Sequence, residues 1–112
     1  MSSDKNDLPG LGAGELRARR SALVARLPEA GGLLPGTLVE RHRRCGKGGC
    51  RCARGELHGP YAYLQAGARL IYVPAGLAES VARHVETSVL LRGLLGEICA
   101  VNLELLARRE LD

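Results

Sequence analysis

Three of the chain's four cysteines fall within eight residues, as Cys45-x4-Cys50-x-Cys52, with His42 three positions before them and His58 six positions after. Thiolate and neutral imidazole on a short glycine-containing segment are the donor set of a tetrahedral zinc ion, which can organise a fold in place of a large core. Cys50 and Cys52, two apart on an extended chain, point to the same side, and Cys45 folds back across Gly46, Gly48 and Gly49. His58 is the expected fourth ligand, with His42 or water as the alternatives. The competing reading is a set of reduced cysteines without metal, or a redox switch in which Cys45 pairs with Cys50 or Cys52 and neighbouring cations lower the thiol pKa.

The same segment is strongly basic. Arg41, Arg43, Arg44, Lys47, Arg51 and Arg54 lie between residues 41 and 54 with no acidic residue among them, whereas the other ten basic residues are outnumbered by twelve acidic ones. The net charge of +4 is therefore local to the cysteines. Zinc on three thiolates and one imidazole would leave those six cations about five positive charges, enough to hold a phosphate backbone. The expected ligand is nucleic acid, duplex DNA first, contacted by these six side chains together with Tyr61 and Tyr63. Solvated surface charge is the plain alternative.

These residues need elements to carry them, and the hydrophobic pattern supplies an α+β fold. Residues 1–13 carry no periodicity and read as a disordered tail, and residues 14–112 as one domain, the size of a single modest core. Leu16, Leu23, Val24 and Leu27 define an amino-terminal helix over 14–27, stopped by Pro28. Glycines and prolines over 29–36 read as a linker. A strand begins at Thr37. Tyr61-Ala62-Tyr63-Leu64 alternates with period two, and Gln65-Ala66-Gly67 turns the chain into a further strand ending at Val73. The result is a three-stranded antiparallel sheet with a cysteine-rich knuckle over 37–73.

From residue 75 to 110 the chain reads as helical, with Pro74 at its start. Leu77, Val81, Val85 and Val89 form one stripe and Leu94, Ile98, Val101 and Leu105 a coiled-coil-like seam. Gly93 and Gly96 predict a bend or break in one long helix. The apolar surface exceeds what one thin sheet covers, so the helix should pack on the first helix, on a second copy, or on both. A homodimer is the expected assembly. Cys99, with Leu95, Ile98 and Leu103 as helical neighbours, reads as a small buried hydrophobe.

With Cys45-Gly46-Lys47, Cys50-Arg51-Cys52, Gly55-Glu56-x-His58-Gly59-Pro60-Tyr61, Tyr72-Val73-Pro74 and the leucine-rich tail in view, the chain resembles a small bacterial family catalogued as a domain of unknown function. The resemblance covers roughly residues 36–109. It implies no assigned activity; members are often encoded near mobile elements, which makes a recombinase or transposase an expected partner. The chain departs from the family's pattern at Gly48 and Gly49 and in a shorter, less basic hairpin at Gln65 to Ala68, which weakens the hairpin as a ligand grip. By fold-level analogy alone, the order of three strands and a helix also resembles the arm-binding domains of tyrosine integrases, which lay a small sheet in the major groove.

Catalysis finds little support. No nucleophile elbow or phosphate loop is present, His84 is alone on its helix, and a zinc hydrolase would have only Glu56 beside His58 as base. No apolar run reaches the roughly 20 residues of a membrane span, and the expected location is the cytoplasm. A second function fits the same chain: a protein-interaction adaptor that docks its leucine-rich helix on a partner and uses the cysteine cluster as structural zinc or redox sensor.

Overall fold

The computed structural model describes residues 5–44, 49, 55 and 57–112. It has an amino-terminal helix, a three-stranded antiparallel sheet and a long carboxy-terminal helix, the expected α+β arrangement. The chain divides into two compact units, Met1–Gly31 with Thr87–Asp112, and Gly32–Glu86. No helix among the described residues is long and apolar enough to cross a membrane.

The first unit is helical. Helix α1 (Ala13–Ala25) starts after Gly12, carries Glu15 in its first turn where the helix dipole favours a negative charge, and buries Leu16 and Leu23. These two pack with Leu94, Val101 and Leu105 of α2 (Ala78–Ala107), and Ile98 and Leu27 add to the cluster. Of the partners expected for this seam, the first helix or a second copy, α1 is the one that fills it. A 3-10 turn at Lys5–Gly10 precedes α1, inside the segment whose composition suggested disorder. Leu8 enters the same core, and Arg108 donates hydrogen bonds to the carbonyls of Leu8, Pro9 and Leu11.

Helix α2 runs unbroken through Gly93 and Gly96. Each glycine costs about 1 kcal/mol relative to Ala, but every fully buried leucine returns about 1.5–3 kcal/mol, and the Leu94–Leu105 seam buries two leucines and a valine almost completely. Packing outweighs propensity. Cys99 is exposed, contrary to the expectation, because the core seam lies at 94, 98, 101 and 105, while Cys99 shares the opposite face with Leu95, Leu103 and Leu106, all about half exposed or more. The helix closes in a Schellman arrangement: the Glu110 amide donates to the Leu105 carbonyl at 2.8 Å and the Arg109 amide to Leu106 at 2.9 Å, with Arg109 at φ 61°.

The second unit holds the sheet, in the order β1 (Thr37–Arg43), β2 (His58–Ala66), β3 (Arg69–Val73). Leu38, Leu64 and Ile71 pair across one face, on which Leu64 and Val73 are buried. β2 turns into β3 through Gly67 and Ala68, two residues further on than the start of the expected turn, with Gln65 Nε2 donating to the Gly67 carbonyl at 2.9 Å. Gly36 enters β1 at φ 93°, where a Cβ would stand 2.2 Å from the Gln65 carbonyl oxygen. Only glycine fits there. Pro74 precedes a 3-10 turn, Ala75–Leu77, which leads into α2, and the Leu34 amide donates to the His84 carbonyl.

Candidate nucleic-acid interface

Alternation along β1 puts Val39, Arg41 and Arg43 on the sheet face opposite Leu38 and Glu40. Val39 pairs with Tyr63 and Arg41 with Tyr61, and Tyr63 in turn pairs with Tyr72. The register then shifts: Arg43 pairs with His58, so His42 on β1 faces two residues, Gly59 and Pro60, on β2. Such a bulge bends a strand and re-aims its side chains. Gly59 makes it possible, at φ 127° and with a would-be Cβ only 2.8 Å from the Arg41 carbonyl oxygen.

The outcome is a cationic, aromatic surface. The Arg43 guanidinium carbon lies 4.9 Å from the Tyr61 ring centroid and 5.9 Å from that of Tyr63, within cation–π range. Tyr72 meets Tyr61 and Tyr63 edge-on, at centroid distances of 6.3 and 5.7 Å and interplanar angles of 68° and 67°. Tyr63 is buried at 8% exposure, Tyr61 is half-buried and Tyr72 is 49% exposed. Tyr63 is thus a packed ring, while Tyr61 and Tyr72 keep surface open to solvent. Beside them, Arg43, Arg44, His58 and Tyr61 line an open concavity of about 310 Å³. Among the described residues no ion pair engages Arg41, Arg43 or Arg44, whereas Arg19, Arg20 and Arg108 of the helical unit are each paired with a carboxylate.

The structure therefore brings together Arg41, Arg43, Arg44, His58, Tyr61 and Tyr63 of the expected site. Cys45, Lys47, Cys50, Arg51, Cys52 and Arg54, with Glu56, lie outside the described residues. Of the two histidines weighed as ligands, His58 is half-buried beside Arg43 and His42 is exposed at the bulge. Among the described residues no three His, Cys, Asp or Glu side chains gather as a metal site. Tyr72 was missing from the expected site. Its alternation with Leu70 was visible, but only the β2–β3 register sets it against Tyr63.

Residues 14–83 match a family model described as a domain of unknown function, DUF6788. The chain belongs to the DUF6788 family. No curated protein and no solved structure matches it. The DUF6788 match takes in α1, all three strands and the first residues of α2, and stops short of the Leu94–Leu105 seam. Its span differs from the 36–109 expected from the signature, gaining α1 and losing the leucine-rich tail. The cationic aromatic face lies wholly within the family region.

Proposed function

We propose that this DUF6788 protein binds nucleic acid, with DNA as the ligand, through the sheet face that carries Arg41, Arg43, Tyr61 and Tyr63. The observation that carries the reading is the Arg43 guanidinium seated over two tyrosine rings, with Arg41 and Arg44 beside it and no carboxylate paired to any of the three among the described residues. Guanidinium groups contact phosphates, and each one that does so releases counterions, which makes binding weaken with salt. Lys47, Arg51 and Arg54 extend the same charge along the chain. Cys45, Cys50, Cys52 and His58 have the donor chemistry of a structural zinc, and His58, paired with Arg43, would tie the cysteine segment to the rung that presents the guanidinium. The zinc would supply rigidity and no reaction step. Titration of a labelled duplex at low and moderate salt tests the reading.

A second reading rests on a separate observation: Leu95, Cys99, Leu103 and Leu106 form an exposed apolar stripe on α2. It suits an adaptor or a dimer contact, with a second copy or a mobile-element recombinase as occupant. Leu103→Glu would abolish such docking. Ile98 and Leu105, seam positions suggested by periodicity, belong to the α1–α2 core and would report on folding instead.

A further inference from the structure

We propose that the DNA form this face takes is an unpaired strand, with a base stacked on Tyr72. The inference rests on the nucleic-acid reading above and specifies its ligand. Tyr72 sits at 49% exposure on the edge strand β3, across from Tyr63, so part of its ring is open to a ligand on the same sheet face that carries Arg41 and Arg43 on β1. Its contacts with Tyr61 and Tyr63 are both edge-on, at 68° and 67°, so they brace the ring while no tyrosine is stacked flat upon it. Leu70, 46% exposed and next along the same face of β3, widens the apolar platform. The Arg43 guanidinium over Tyr61 adds a second planar surface suited to a neighbouring base.

The bases of a duplex offer no free face, because each is stacked on both sides within the helix. An unpaired strand presents base faces and phosphates together. Sheets that bind single strands use aromatic rings for the first and flanking cations for the second. Here the rings belong to β2 and β3 and the cations, Arg41 and Arg44, to β1 and the residue after it, so one strand laid across the sheet meets both. The occupant is chosen by this charge complementarity: among the described residues no carboxylate pairs with Arg41 or Arg43 on the same face, and a protein partner covering the face would have to supply one, as the phosphates of a nucleic-acid strand do.

The test compares one labelled sequence as single strand, as full duplex and as a duplex with a three-base gap, by fluorescence anisotropy at constant salt. Wild type should bind the single strand and the gapped form about tenfold or more tighter than the duplex, and Tyr72→Leu, which keeps apolar packing but removes the ring, should erase about fivefold or more of that preference. Tyr72→Phe should retain it. Circular dichroism of each variant establishes that the fold is intact. Equal affinity for duplex and single strand, or a Tyr72→Leu loss that is the same for all three forms, would overturn the unpaired-strand proposal and leave DNA binding standing. Absence of binding to every form at low salt would overturn both.

Discussion

Arg43 lies across the ladder from His58 and over the ring of Tyr61, 4.9 Å from its centroid, so a single side chain joins the candidate ligand histidine to the aromatic face. A planar guanidinium can stack on a ring, whereas an ammonium acts as a point charge. Arg43→Lys should therefore keep the charge but lower stability by about 0.5–1 kcal/mol, the value of an exposed cation–π contact. Urea unfolding measures it, and an unchanged midpoint would mean that the stacking contributes nothing.

Gly93 is exposed inside α2, and a Cβ built there meets nothing within 4 Å. Gly93→Ala should stabilise the protein by about 1 kcal/mol, since Ala narrows the unfolded ensemble and no contact opposes it. A lower urea midpoint would show that the glycine serves a bend or a contact instead.

The first helix and the strands were legible because each has a local signature: 3.6-residue periodicity before Pro28 and period-two alternation at Tyr61–Leu64. What the sequence could not show depended on partners far along the chain. The Leu94–Leu105 seam has the same pattern whether it meets α1 or a second copy, and only the cluster with Leu16 and Leu23 distinguishes them. Cys99 was misplaced for the same reason, as two apolar stripes on one helix leave open which is inward. The bulge opposite Gly59 and Pro60, which sets Arg43 over Tyr61, is a matter of register and has no single-residue signal.

Acid should loosen the clamp between Arg20 and Asp112. Hydrogen bonds donated by the Arg20 guanidinium, at 2.9 and 2.7 Å, hold the Asp112 carboxyl down to about 2 from an ordinary 3.8. A depressed carboxyl stabilises the fold fully above its unfolded pKa and loses that contribution as pH falls through the folded value. The stability difference between wild type and Asp112→Asn should thus be constant above pH 4 and vanish as pH falls toward about 2. A difference that persists at the acid end would contradict the clamp.

Metal analysis of purified protein should give about one zinc per chain, and Cys50→Ser should lose it, because three thiolates and one imidazole complete a tetrahedral site that two thiolates do not. Stably folded wild-type protein without zinc, and without loss of structure on chelation, would remove zinc from the account and favour the redox reading of the cysteines.

The central claim is that the basic, tyrosine-bearing face grips phosphates. The most direct measurement is a titration of labelled DNA, both as duplex and as single strand, at 50 and 200 mM salt, with an Arg43→Glu, Arg51→Glu variant alongside. The account predicts binding at low salt that weakens by about tenfold or more at the higher concentration and is lost in the variant. Binding that ignores salt and survives both charge reversals, or no binding at the lower salt, would contradict it.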